Sequence, residues 1–127
     1  TVQKSLPYLN QGASIILISS AVGQLGVKGL SIYGASKAAL IQWTRYAACE
    51  FGPIGIRVNS ISPGPFPSNV VKQSNPDLVK RLAKQVPLGR VGNSSEIGGP
   101  VLLLASSSSH YITGANLLVD GGITSVL

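Results

Sequence analysis

The run Ala13-Ser14-Ile15-Ile16-Leu17-Ile18 constrains this chain more than any other stretch. It has the length of a strand, is rich in β-branched residues, and does not alternate apolar with polar. A strand that stays apolar along its length is buried on both faces, as in a parallel sheet covered by helices. The predicted fold class is therefore α/β. Ser19-Ser20 follow, at what would be the C-terminal end of a parallel strand. Open α/β sheets bind ligands at that end.

The rest of the sequence supplies the helices and further strands. Val2–Leu9 reads as the tail of a helix with Val2, Leu6 and Leu9 on one face, weakened at Pro7 and stopped by Gln11-Gly12. Gly23, Gly26 and Gly29 punctuate a stretch read as a flexible connector. It carries neither G-x-G-x-x-G nor a Walker lysine. Ser31 to Phe51 is helical in pattern, with Leu40, Trp43 and Ala47 on one face, small residues Ala35, Ala38 and Ala39 on another, and Gly52-Pro53 as its stop. Ile56–Ser62 is a second strand running into Pro63-Gly64. Pro65 to Asn75 reads as a loop and Pro76 to Val86 as a short helix with Leu78, Leu82 and Val86 spaced by four. A turn over 87–92 leads to a helix capped by Ser94 or Ser95 and reaching about Ser106, with an apolar stripe of Ile97, Val101, Leu102 and Leu104. Leu117–Val119 is a third strand, turned out by Asp120-Gly121-Gly122. About three strands with flanking helices and right-handed crossovers are expected, with no internal repeat.

Composition narrows the function. Charged residues are only 11% of the 127, against 44% apolar, which argues for buried surface rather than disorder. The net charge of +6 reflects a shortage of acids. Lys72, Lys80, Arg81, Lys84 and Arg90 cluster loosely but lack interleaved aromatics, so no nucleic-acid partner is expected. Attraction of an anionic cofactor is the better use of that charge. No apolar run, Ile15–Ile18 included, comes near the length of a membrane span, and no signal-peptide pattern is present. A cytoplasmic location is expected. The single Cys49 cannot form an internal disulfide and reads as a small core residue. Glu50, Asp77, Glu96 and Asp120 are too scattered for a metal site, and His110 reads as an exposed helix-end residue.

Tyr33 and Lys37 lie four residues apart near the start of the long helix, which puts them on one helical face. An ammonium beside a phenol favours the phenolate, which is what a phenol needs before it can act as an acid or base near neutrality. Ser20 lies thirteen residues earlier at the end of the first strand, and Pro63-Gly64 at the end of the second. If the strands are neighbours, these groups converge on one rim. Taken singly, Tyr33 also reads as an exposed helix-start residue, Lys37 as a solvated charge and Ser20 as a strand-end hydroxyl.

Taken together, Ile18-Ser19-Ser20, Tyr33-Gly34-Ala35-Ser36-Lys37-Ala38-Ala39-Leu40, the stretch from Ile56 to Gly64, and Tyr111-Ile112-Thr113-Gly114 leading to Asp120-Gly121-Gly122 make the chain resemble the C-terminal half of a short-chain dehydrogenase/reductase. The resemblance implies an NAD- or NADP-dependent oxidoreductase that moves a hydride between the nicotinamide and a carbonyl or secondary alcohol. It makes Tyr33 the general acid/base, and makes Ser20, rather than Ser19, the group that bonds the substrate oxygen. Lys37 lowers the pKa of Tyr33 and binds the nicotinamide ribose. Pro63 and Gly64 open the loop that lines the nicotinamide, with Phe66 contacting the carboxamide through its backbone and Ser68 bonding carboxamide or phosphates. Pro65–Val86 becomes the substrate flap, Asn59 fixes loop backbone, and a homodimer or homotetramer is the expected assembly.

The same resemblance implies that residues 1–127 are a single partial Rossmann-like domain whose N-terminal dinucleotide-binding half is absent. The chain starts at Thr1 and has no methionine, which fits a processed or truncated product or a piece of a longer chain. Strand Ala13–Ile18 is then expected to have an open apolar edge. The alternative reading is a catalytically inactive truncated relative acting only in self-association or assembly.

Overall fold

The computed structural model describes residues 2–126. In chain order the elements are α1 (Val2–Ser5), β1 (Ser14–Ile18), α2 (Ser31–Phe51), β2 (Arg57–Pro63), α3 (Asn69–Ser74), α4 (Pro76–Gln85), α5 (Gly98–Ala105) and β3 (Asn116–Val119), with short 3-10 turns between them. The three strands form one parallel sheet in the order β1-β2-β3. Ser14 pairs with Arg57 and Ile18 with Ile61, while Ile61 pairs with Leu117 on its other side.

Period-two alternation assigns the two faces. Ile15, Leu17 and Val58 face α2, where Ala47, Ala48, Phe51 and Ile56 complete the core and Val2, Leu6 and Leu9 pack against it. Ser14 and Arg57 face the other way and bond the Leu104 carbonyl at the end of α5, at 2.8 and 2.9 Å. With α2 on one face and α5 on the other, the sheet is a three-stranded piece of a doubly wound, Rossmann-like fold.

The strands and long helices fall where the sequence puts them, to within a residue. The differences have local causes. The helix over Val2–Leu9 tightens into a 3-10 turn at Leu6, because Pro7 has no N–H to continue an α-helix. The expected loop over 65–75 contains α3, capped by Ser68, whose Oγ accepts from the Val71 N–H at 3.3 Å. The later helix is capped by Asn93 rather than by Ser94 or Ser95. Glu96 reaches back to the Asn93 N–H at 2.8 Å, and a 3-10 turn precedes α5. On α2 the buried stripe is Ile41, Thr44, Ala47, Ala48 and Phe51. Leu40 is half-buried and Trp43 lies at the margin of exposure. Cys49 points off that stripe and is exposed, so it is not a core residue. Of the expected α5 stripe only Leu104 is buried, and Leu102 is 70% exposed.

Among the described residues, no helix is long and apolar enough to cross a membrane.

Candidate active site

The site is built at the C-terminal ends of β1 and β2. Beyond Ile18, the Ser19 N–H donates to the Ile61 carbonyl at 2.7 Å, extending the β1–β2 pairing by one step. Ser20 then leaves the sheet as the N-cap of a 3-10 turn over Ala21–Gly23, its Oγ accepting from the Val22 N–H at 3.2 Å. That hydroxyl has no acceptor among the described residues, so its proton is available to donate. Both serines are buried.

The turn lies directly on the start of α2. A Cβ on Gly23 would sit 2.9 Å from the Lys37 carbonyl carbon and the Ala38 nitrogen, and one on Gly34 would sit 3.1 Å from the Val22 carbonyl oxygen. Both glycines therefore serve close packing, and Gly23 is not part of a flexible connector. This contact brings Ser20 beside the helix face that carries Tyr33 and Lys37. The Lys37 ammonium lies 5.6 Å from the centre of the Tyr33 ring and donates to the Ile18 carbonyl at 3.1 Å. Tyr33 is 45% exposed, so its ring remains accessible.

Across the rim, Gly64 donates its N–H to Val119 at 3.0 Å, holding the end of β2 to the end of β3. A Cβ there would sit 2.7 Å from the Asp120 Cα, so Gly64 permits close strand packing. Pro63 closes β2 and is half-buried. The Phe66 ring lies against Gly92, whose N–H donates to Pro65 at 2.9 Å. It also lines a cavity of about 240 Å³ with Leu88, Arg90, Glu96, Leu118 and Asp120. The Ser68 hydroxyl is engaged in capping α3. Tyr33 and Lys37 thus lie together at the start of α2, against which the turn after Ser20 packs, while Pro63, Gly64, Phe66 and Ser68 begin the segment that leaves the neighbouring strand end.

The family described as enoyl-(acyl carrier protein) reductase matches residues 1–124. The chain is 39% identical over 115 residues to an L-rhamnose 1-dehydrogenase (NAD(P)(+)) from Azotobacter vinelandii, covering 89% of this chain and 45% of that one. It is 44% identical over 113 residues to the 3-oxoacyl-[acyl-carrier-protein] reductase FabG of Chlamydia trachomatis, covering 89% and 46%. A solved short-chain dehydrogenase/reductase from Serratia marcescens superposes with a TM-score of 0.90 at 35% identity, over 97% of this chain and 50% of that chain. The chain belongs to the short-chain dehydrogenase/reductase family. It spans about half the length of the curated relatives it matches.

Several residues that shape this short-chain dehydrogenase/reductase site have bonds that the motifs do not reveal. Asp120 accepts from the Gly122 N–H at 2.9 Å and from the Thr124 N–H and hydroxyl at 3.0 and 2.7 Å. Burial pushes its carboxyl up, but the bonds from Thr124 and Gly122 outweigh that and hold it below the ordinary carboxylate range. An aspartate before two glycines is a recognisable turn signal. The Asn116 Oδ1 accepts from Ser60 and Ser62 at 2.9 and 2.7 Å, while its Nδ2 is buried without a partner among the described residues. No sequence spacing marks that pairing, because it depends on the register of β2 with β3. Ser19, set aside in favour of Ser20, donates its hydroxyl to the Lys37 carbonyl at 2.8 Å.

Proposed function

We propose that residues 1–127 carry, as one partial domain of the family fold, the carbonyl end of an NAD(P)-dependent oxidoreductase site that interconverts a carbonyl and a secondary alcohol. The observation that carries this reading is the Lys37 ammonium held on the Ile18 carbonyl, beside the Tyr33 ring and two residues from Ser20. Tyr33 is the general acid in reduction, giving its hydroxyl proton to the substrate oxygen, and the base in oxidation. Ser20, its proton unclaimed, donates to that same oxygen as negative charge develops on it. Lys37 stabilises the phenolate side of the exchange.

The residues present fit the nicotinamide end of the cofactor. Lys37 has three N–H donors and uses one on Ile18, leaving two for ribose hydroxyls. Phe66 is flanked by Pro65 and Pro67, so its N–H is the only main-chain donor of that tripeptide, suited to the carboxamide. Ser68 can still donate its hydroxyl proton while it caps α3. When bound, the nicotinamide supplies or accepts the hydride. These groups meet the part shared by NAD and NADP, so either fits. The substrate is a small carbonyl or alcohol, and the working molecule is a cytoplasmic homodimer or homotetramer. Ile32 and Tyr46, 87% and 68% exposed on α2, supply apolar surface for such association.

The test is a fluorescence titration with NADH and NADPH followed by ketone reduction. Tyr33→Phe should lower turnover by about 100-fold or more while cofactor affinity stays within about twofold. Undiminished turnover removes Tyr33 from the chemistry.

A further inference from the structure

Ser19 is 4% exposed, and the catalytic reading above gives it no part. Its Oγ donates to the Lys37 carbonyl at 2.8 Å. One residue earlier, the Ile18 carbonyl accepts from the Lys37 ammonium at 3.1 Å. Lys37 is therefore tied twice to one dipeptide, through its backbone and through the end of its side chain. Either tie alone is weak. A lysine held only at its ammonium can keep that bond while its helix slides, because the four-carbon stem is flexible. A helix held only at its backbone leaves the ammonium free to turn to solvent.

The surroundings make the double tie effective. The Ser19 N–H is bonded to Ile61, so the dipeptide is anchored to the central strand. Gly23 and Gly34 bring the turn after Ser20 into contact with the helix backbone, with Gly23 at the Lys37–Ala38 peptide itself. Consecutive serines thus divide the work. Ser20 turns its hydroxyl to the 3-10 turn, whereas Ser19 turns its own to the helix.

We infer that Ser19 is a positioning residue. It holds the α2 backbone at Lys37 against the end of β1, so that the Lys37 ammonium stays on Ile18 and beside Tyr33. The inference rests on the roles given to Lys37 and Tyr33 above. Its test needs neither cofactor nor substrate, so its failure is separable from theirs.

The experiment is competitive acetylation of the folded 127-residue chain with trace acetic anhydride, read peptide by peptide by mass spectrometry. Lys84, exposed on α4, is the internal reference. In the wild type Lys37 should label more slowly than Lys84. In Ser19→Ala the Lys37/Lys84 rate ratio should rise about two- to tenfold, the population shift expected from one lost hydrogen bond. Ser19→Thr, which keeps the hydroxyl, should restore the ratio. If Ser19→Ala does not fold, Ser19→Cys takes its place as a near-isosteric, weak donor. An unchanged ratio in the alanine or cysteine variant overturns the inference. So does a rise that threonine fails to reverse, because that would report general loosening rather than loss of the hydroxyl bond.

Discussion

β1 and β2 are neighbours in one sheet, yet their sequences and environments are inverted. β1, Ser-Ile-Ile-Leu-Ile, is almost wholly apolar but only half-buried, and Ile18 at its end is 49% exposed. β2, Arg-Val-Asn-Ser-Ile-Ser-Pro, is mostly polar, yet its first six residues are buried. Burial here follows place in the sheet rather than hydrophobicity. β2 has a strand on each side and a helix on each face. β1 has an open edge. The polar side chains of β2 can be buried because each has a partner. Arg57 bonds the Leu104 and Ser106 carbonyls and the Ser109 hydroxyl. Asn59 donates to Ile112 at 2.9 Å and accepts from the Ala115 N–H at 3.0 Å. Ser60 and Ser62 share Asn116. These bonds fasten β2 to the end of α5 and to the segment entering β3, which apolar side chains would not do.

The most direct way to break this contrast is Asn59→Leu. The substitution makes β2 more hydrophobic, and a hydrophobicity argument expects a gain. The hydrogen-bond account expects a loss. Two half-buried backbone groups, at Ile112 and Ala115, would be left without their partner, at about 1–3 kcal/mol each. Urea unfolding should therefore show a loss of about 2–6 kcal/mol. A change below about 1 kcal/mol would remove Asn59 from the role of fastener.

Ile18 and Ile61 sharpen the comparison, because they are register partners on adjacent strands. Ile61 is fully buried. Its truncation in Ile61→Ala leaves a cavity and should cost about 2–5 kcal/mol. Ile18→Ala removes the same atoms from a half-exposed edge position, where less apolar area leaves water, and should cost less than about 1 kcal/mol. Equal losses at the two positions would mean that something covers the β1 edge in solution, and light scattering on the same samples would show it.

The contrast also explains how much of the molecule was legible in its sequence. β1 announced itself through Ile15–Ile18, and parallel pairing followed from the absence of alternation. Tyr33 and Lys37 were legible because helical periodicity alone puts them on one face. The partners of β2 were not. Arg57 meets Leu104 across 47 residues and Asn59 meets Ile112 across 53, distances over which local periodicity carries no information. Motif resemblance placed Asn59 in a backbone-fixing role, and the structure bears that out. It gave no such hint for Arg57, Asn116 or the Ser19 bond to Lys37. The exposed Cys49 was misread for the opposite reason. Its residue type favours burial, but its angular position on α2 falls outside the stripe that faces the sheet.

The smallest expected effect lies at the surface, where pairing is strong in geometry but screened by water. Arg90 grips Glu96 with two hydrogen bonds of 2.7 Å, and both side chains are well exposed. The Arg90 bond, with the Asn93 N–H adding to it, holds the Glu96 carboxyl down at about 2, against an ordinary 4.5. A carboxyl depressed on folding contributes stability that is complete above its unfolded value and disappears as pH falls through its folded one. Glu96 therefore contributes fully above about pH 4.5, and that contribution fades on acidification toward about pH 2. Glu96→Gln should lower the melting temperature slightly at pH 7, leave it unchanged near pH 2, and so flatten part of the acid limb between them. Asp120, also held below its ordinary range, should keep the remaining slope, since its donors, Gly122 and Thr124, are untouched by that change. A profile that stays as steep without Glu96 would move the acid sensitivity to Asp120, and with it to the rim where β2 and β3 end.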